Sequence, residues 1–160
     1  MKASIYLLAA ILLLAASCGD SNNKGREYLF VQTSNGSALT DSTLTLTGIS
    51  PDTGWFTDRP YREAGQISTE AFILAWAEGE DSFADDPPNA DFTCTINGEI
   101  LNHVVELTRP ELIGDELTYD IALIGNDEPL AGVRCDGPAH LFIDYIRSMA
   151  STYCRVCKQP

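Results

Sequence analysis

Basic residues are scarce in this sequence. The 160 residues include 10 lysines and arginines against 23 aspartates and glutamates, which gives a formal net charge of −13. The shortage is greatest over residues 27–139, which hold four arginines and 21 acidic residues, a net charge of −17. Such a surface repels phosphate backbones and anionic lipid head groups. We therefore expect no nucleic-acid partner. Divalent cations or basic surfaces would be attracted instead, and solubility outside the cell is the favoured explanation of the acidic surface.

Motifs that identify a catalytic site are also missing. The sequence has no phosphate-binding glycine loop, no nucleophile elbow, no stripe of basic and aromatic residues and no internal repeat. Apolar residues make up 44% of the chain and charged residues 21%, as in ordinary globular proteins. We therefore expect one globular domain whose biochemical activity the sequence does not reveal.

The apolar run at the N-terminus is too short to cross a membrane. Residues Ile5 to Leu14 follow Lys2, and as a helix they would extend about 15 Å, half of the ~30 Å hydrocarbon core. A charged start, an apolar middle and small residues before a cleavage site are typical of a secretory signal. The sequence therefore predicts an exported protein.

The stretch Ala15-Ala16-Ser17-Cys18 resembles the lipobox of bacterial lipoproteins, although Leu14 lies one place earlier than in the commonest form. The resemblance implies a signal peptide over residues 1–17 and a diacylglyceryl group on the sulfur of Cys18. Residues 18–26 would then be a lipidated tether, and this anchor, of two or three acyl chains, would be the only contact with the membrane. Gly19 follows the cysteine, which in a Gram-negative cell favours the outer membrane. An ordinary cleaved signal with an incidental cysteine is the alternative.

Short alternating segments predict a mainly β domain over residues 27–146, followed by a cysteine-containing tail over 147–160. The alternation is clear in EYLFVQTS, STLTLTGI, WFTDRP, LTYDIALIG and AHLFIDYI. We expect turns at SPDTG and GNDEP and a loop at RPELIGDE, residues 109–116. The spacing is typical of a β-sandwich or an open barrel with one short inserted α-helix.

Two further segments predict a helix and a hairpin. Residues 68–79 place Phe72 and Trp76 on one helical face, with a capping hydroxyl at Ser68 or Thr69 and a terminating glycine at the end. We expect about ten helical residues that pack both aromatic side chains onto a sheet. Farther along, Asn97-Gly98 between alternating apolar segments is a strong signal for a two-residue hairpin turn.

The stretches FVQTSNGSALT, WFTDRPYREAG and ISTEAFILAWAEGEDSFADDPPNADF resemble a family of small exported prokaryotic β-domains of uncharacterised activity. The resemblance covers roughly residues 29–145, and the part from Trp76 to Asn89 is its most specific portion. The tail from Arg147 and the lipobox depart from it. Because the family has no known activity, the resemblance implies no catalytic residue.

The acidic segment GEDSFADDPPNADF, residues 79–92, is the most conspicuous candidate site. Closely spaced acids on a loop are typical calcium ligands, but the spacing is not that of an EF-hand. We expect a surface loop, stiffened by Pro87 and Pro88 and anchored by Arg59 or Arg62, with calcium binding as the alternative. No other cofactor is expected. The candidate calcium ligands are Glu80, Asp81, Asp85 and Asp86.

Four cysteines follow the lipobox: Cys94, Cys135, Cys154 and Cys157. Outside the cytoplasm an even number favours disulfides, and four cysteines allow three pairings. Cys154 and Cys157 have redox spacing, but the few residues after them cannot form the helix that lowers a thiol pKa. A zinc ribbon would need a second close pair, although His103 and His140 could complete a mixed site.

Three functions remain open. The favoured one is a surface-tethered, non-enzymatic β-domain of the cell envelope whose protein or glycan partner is unknown. The second is an envelope-polymer hydrolase that uses carboxylates of the acidic loop. The third is a thiol redox accessory that uses Cys154 and Cys157.

Overall fold

The computed structural model describes residues 27–78, 82–125 and 132–144. No helix in these ranges is long and apolar enough to cross a lipid bilayer. The predicted class, mainly β with one short helix, is confirmed. The described elements are β1 (Tyr28–Leu39), β2 (Thr43–Ile49), β3 (Asp52–Thr57), β4 (Ala64–Ser68), α1 (Thr69–Leu74) with a 3-10 turn (Ala75–Ala77), β5 (Asn89–Ile96), β6 (Glu99–Ile113), β7 (Glu116–Leu123), β8 (Val133–Arg134) and β9 (Ala139–Ile143).

Six antiparallel strands form a closed barrel in the order β2, β7, β6, β5, β9, β1. The barrel closes because β1 also pairs with β2, from Ser34 opposite Ile49 to Leu39 opposite Leu44. The first half of β1 pairs with β3, and β3 pairs with β4, so these two strands extend the sheet beyond the barrel. β8 pairs with the end of β1. A twelve-residue strand can pair with several other strands in this way because its two ends lie far apart.

In both β1 and β2, the alternation of inward-facing and outward-facing residues shifts by one residue at one corner of the barrel. The buried residues of β1 are even-numbered up to Ser34 and odd-numbered from Ser37 onward. Gly48 lies at the matching point of β2 with φ of 61°, and a Cβ there would lie 2.7 Å from Asn35 Nδ2. Glycine adopts this conformation without strain and leaves the space that Asn35 occupies, so Gly48 permits the bend.

The prediction of a loop over residues 109–116 is wrong. β6 continues through Arg109 and Pro110 to Ile113, and a two-residue turn at Gly114 and Asp115 leads into β7. The pairing of β6 with β7 shifts register between Thr108 and Glu111. A β-bulge at this position tolerates a proline that cannot donate to the ladder. The turn expected at SPDTG is also shorter, since β3 begins at Asp52.

The Asn97–Gly98 hairpin is confirmed. Ile96 pairs with Glu99, and both turn residues have positive φ, 52° and 80°, as a type I′ turn requires. The expected alternation on the two arms is also observed, because Phe92 and Cys94 on β5 and Val105 and Leu107 on β6 are buried.

The helix is shorter than predicted. Ser68 caps it by accepting a hydrogen bond from the amide of Ala71 at 3.1 Å, but the α-helix ends at Leu74 and continues as the 3-10 turn. Gly79, the expected terminator, lies outside the described residues. Phe72 and Trp76 are buried as predicted. The tighter turn brings Trp76 within ring-stacking distance of Phe83, with centroids 4.9 Å apart.

Candidate functional site

The described part of the acidic segment is a tight turn whose apolar side chain points inward. Phe83 is fully buried and packs against Trp76, Phe72 and Phe30, with the ring centroids of Phe30 and Phe83 6.2 Å apart. Ser82 is also buried, and its hydroxyl donates to Asp85 Oδ2 at 2.9 Å while accepting from the Asp85 amide at 3.3 Å. Phe83, an apolar residue within the acidic segment, therefore holds the turn to the core.

The exit of this segment is attached to the barrel. Pro88 is buried, and its carbonyl oxygen accepts a hydrogen bond from the amide of Leu107 at 2.9 Å. Asp85 and Asp86 remain exposed on the outside of the turn. The segment is therefore packed on one side and solvated on the other.

Calcium binding and arginine anchoring remain predictions. Glu80 and Asp81 lie outside the described residues, and no group of three or more His, Cys, Asp or Glu within the described ranges is arranged to hold a metal ion. Arg59 and Arg62 lie in the exposed loop between β3 and β4. Neither forms an ion pair with the described acids of the turn, Asp85 and Asp86. An exposed pair joins Arg109 and Asp120 at 2.5 Å.

One disulfide joins Cys94 of β5 to Cys135 beyond β8, with Cα atoms 5.9 Å apart. It connects the barrel wall to the segment before β9. Cys18, Cys154 and Cys157 lie outside the described residues, so lipidation and redox chemistry stay predictions. His103 has the inward parity of β6, whereas His140 is exposed on β9. The two histidines therefore face opposite sides of the barrel wall.

A cleft of about 710 Å³ lies beside α1, away from the acidic turn. Three segments border it: α1 along its length, the β2–β3 turn and the β6–β7 turn. Its apolar lining residues are Ile49, Pro51, Ile73, Leu74 and Leu112, its polar ones are Ser50, Ser68, Thr69, Glu70 and Asp115, and Gly114 completes the lining. A second cavity of about 490 Å³, which includes His140, shares the β2–β3 turn.

Backbone hydrogen bonds hold the three segments together. The amide of Ile49 donates to the carbonyl oxygen of Asp115 at 2.9 Å. On the other side of the β2–β3 turn, the amide of Thr69 donates to the carbonyl oxygen of Pro51 at 2.7 Å. Because the turn is bonded to both neighbours, the cleft is formed before any ligand arrives.

A buried chain of side-chain hydrogen bonds connects the cleft to the barrel interior. Tyr119 donates to Gln32 Oε1 at 2.9 Å, and Gln32 Nε2 donates to Thr53 Oγ1 at 3.3 Å. The Thr53 and Thr69 hydroxyls are 3.0 Å apart, and Thr69 donates to the carbonyl oxygen of Ser50 at 2.8 Å. Since Thr69 uses its proton on Ser50, it must accept from Thr53. These hydrogen bonds fix the position of Thr69, the first residue of α1. The helix α1 forms one wall of the cleft.

The cleft combines apolar walls with negative charge only. Glu70 and Asp115 are both exposed, and no lysine or arginine is among the lining residues. Leu74, one of the lining residues, is 69% exposed. Covering apolar side chains that water contacts in the free protein lowers the free energy of the complex. The two carboxylates attract a cation. The arrangement suits binding of an amphipathic cation.

Comparisons with models of protein families, with curated proteins and with solved structures find no match to the chain. The predicted membership of an exported prokaryotic family therefore stays a prediction. No relative indicates where a functional site lies, so the evidence for the candidate cleft is its geometry alone.

The cleft residues were not predicted from the sequence. Leu74 does not lie on the helical face that carries Phe72 and Trp76. An apolar residue on the outer face of the helix was therefore the one feature of the sequence that could have indicated the cleft. Leu112 and Asp115 were assigned to a loop, and their position opposite α1 could not be predicted from local pattern.

Proposed function

We propose that this protein is an exported, lipid-anchored β-barrel domain that binds a cationic amphipathic ligand in the cleft beside α1, without catalysing a reaction. The observation that carries the proposal is a preformed cleft whose walls are apolar and whose charged lining residues, Glu70 and Asp115, are both acidic.

The size of the cleft supports a small ligand. Ligand pockets in proteins typically enclose about 300–1,000 Å³ and are lined mainly by apolar side chains with a few polar groups. The cleft, at about 710 Å³, lies within this range. Leu74 and Leu112, on opposite walls, would cover an alkyl or aromatic portion of the ligand.

The charge distribution supports a cation. Neither Glu70 nor Asp115 forms an ion pair with another residue of the described ranges, so both carboxylates are available to a ligand. The net charge of −17 over residues 27–139 adds a longer-range attraction for cations and repels anions. A ligand amine would therefore lie at the rim, with its apolar part toward the floor.

Binding is favoured over hydrolysis by the surroundings of the carboxylates. A general acid needs a carboxyl group that is buried so that its pKa rises. Glu70 and Asp115 are exposed, as are Asp85 and Asp86 in the acidic turn.

Isothermal titration calorimetry with octylammonium and octyl sulfate tests the proposal. We expect octylammonium to bind and octyl sulfate not to bind. Glu70→Gln with Asp115→Asn should weaken octylammonium binding about tenfold, since each exposed pair contributes up to about 1 kcal/mol. Leu74→Ser should weaken binding of the same probe by removing apolar cover.

Asp85→Asn with Asp86→Asn is the matched control, because it removes the same charge from exposed positions outside the cleft. This variant should bind octylammonium like the parent. Equal binding of octyl sulfate, or an equal loss in the control variant, would show that the cleft does not select the ligand.

The lipid anchor has a separate test. Cys18→Ser should release the protein from membranes or block its processing, because a hydroxyl group cannot form the thioether. Fractionation and gel mobility measure this outcome. If the variant fractionates with membranes and migrates like the parent, the lipoprotein part of the proposal is wrong, and the binding part is unaffected.

A further inference from the structure

A second exposed apolar surface lies on the outer face of the barrel and of the adjoining strand β3. Four of its side chains are unusually exposed for their size: Phe56 at 38%, Val104 at 40%, Ile124 at 38% and Phe142 at 44%. We call this surface, together with the half-buried Leu29 and Val31, the outer band. None of its residues lines the cleft beside α1.

Strand pairing places these side chains next to one another. Leu29 of β1 lies opposite Phe56 of β3, and Val31 lies opposite Phe142 of β9. On the far side of β5, Val104 of β6 accepts a backbone hydrogen bond from Ile124 at 2.9 Å. Directly paired residues on one face have Cβ atoms about 4.5–5.5 Å apart. The band therefore crosses neighbouring strands as one surface, and a shallow groove of about 330 Å³ runs along it between Leu29, Phe142 and Val104.

One carboxylate interrupts the apolar band. Asp91 of β5 pairs with Phe142 on one side and with Val104 on the other. Asn102 holds this carboxylate in place, because its Nδ2 donates to Asp91 Oδ1 at 2.5 Å and to Thr93 Oγ1 at 3.0 Å. Asp91 is thus an oriented negative charge with an apolar side chain on each flank.

The outward positions next to the band are acidic or neutral. Glu106 lies one outward position beyond Val104 on β6, opposite Asn89, and the groove lining contains no lysine or arginine. A second copy of the chain would bring like charges together at this surface, and an anionic membrane would be repelled. A basic partner is therefore the one that the charges favour.

We infer that the outer band is a docking surface for a basic, amphipathic polypeptide segment of another protein. A lysine or arginine of that segment pairs with Asp91, and its apolar side chains cover Phe142 and Val104. An ion pair framed by apolar contacts loses water on docking, and a charge partner at such a position controls both affinity and specificity.

The probe for this inference is a synthetic peptide of alternating leucine and lysine, and its counterpart carries glutamate in place of lysine. Fluorescence anisotropy with the purified chain measures both affinities. We expect the lysine peptide to bind, the glutamate peptide to fail, and binding to weaken as salt rises, because exposed charges are screened.

Two substitutions in the band should each weaken binding of the lysine peptide by about tenfold, the effect of losing one framed charge or one anchor side chain. They are Asp91→Asn and Phe142→Ser. Each has a matched control outside the band: Asp85→Asn removes an exposed acid, and Ile100→Ser removes a side chain that is 78% exposed. Thermal unfolding of each variant verifies folding, and Val104→Ser replaces Phe142→Ser if the latter unfolds.

Three outcomes overturn the inference. The first is equal affinity in the band variants and the parent, or equal losses in the controls. The second is a dimer in sedimentation that Phe142→Ser abolishes, which would make the band a contact between copies. The third is binding to phosphatidylcholine vesicles that Phe142→Ser abolishes, which would make it a membrane contact. The expected result is peptide binding by a monomer, with no vesicle binding that depends on Phe142.

Discussion

The acidic turn and the β6–β7 turn show how differently two short connections can contribute to a protein. The acidic turn, residues 82–88, carries two adjacent carboxylates, Asp85 and Asp86, yet its main structural contribution comes from Phe83 and Ser82, which are buried. The β6–β7 turn, Gly114 and Asp115, carries a single carboxylate and borders the cleft beside α1. Density of acidic residues along the chain therefore does not locate the cleft; segments that are distant in sequence form it together.

Phe83→Ala should have the largest effect on stability. The side chain is fully buried among Phe30, Phe72 and Trp76, so the free energy of unfolding should fall by about 3–5 kcal/mol through lost burial and an unfilled cavity. Denaturant titration measures the change. Phe142→Ala is the control, because its ring is exposed and should cost less than about 1 kcal/mol. Equal losses would mean that the acidic turn is not held by the core.

Ser82→Ala should destabilise the protein by about 1–2 kcal/mol, since the Asp85 amide and carboxylate lose a buried hydrogen-bond partner. Thermal and denaturant unfolding should agree on this value. Ser42→Ala, at an exposed position of the β1–β2 connection, serves for comparison and should be close to neutral. A neutral Ser82 variant would show that the turn keeps its shape without the hydroxyl.

Arg59→Ala and Arg62→Ala test the anchoring hypothesis directly. Ion pairs between exposed side chains contribute up to about 1 kcal/mol, so each substitution should cost only a fraction of the Phe83→Ala loss. The same denaturant titration, repeated in high salt, separates an ion pair from packing because salt weakens only the pair. A loss as large as that of Phe83→Ala would make arginine the main anchor of the acidic turn.

Calcium should have the smallest effect. We expect millimolar calcium to leave the thermal midpoint nearly unchanged. A ligand at a hundred times its dissociation constant would add about 2.7 kcal/mol, which raises the midpoint by several degrees in a domain of this size. Scanning calorimetry with calcium and with a chelator distinguishes the two cases. A large rise that Asp81→Asn or Asp85→Asn abolishes would make the acidic segment a metal site after all.

Local features of the chain were predictable because their causes lie within a few residues. Ser68 caps α1 through an amide three residues away, and Asn97 with Gly98 supplies the positive φ of a two-residue turn. Alternation along β6 and β7 separates inward from outward residues without reference to any partner. Even there, the bulge at Arg109 and Pro110 was missed, since a proline after an arginine has the same local appearance in a loop and in a bulged strand.

By itself, the sequence determined the mainly β class, the strand faces, the position of α1 and the acidic surface, because periodicity and composition express backbone geometry and solvation directly. Tertiary structure alone decided which cysteine pairs with Cys94, what covers Phe83, and that α1 faces the β6–β7 turn across a cleft. Cys94 and Cys135 are 41 residues apart, and Ile49, whose amide donates to the carbonyl oxygen of Asp115, is also remote from it in sequence. Such contacts depend on how the barrel closes. Closure is a cooperative result of all six strands, so no local sequence pattern encodes it.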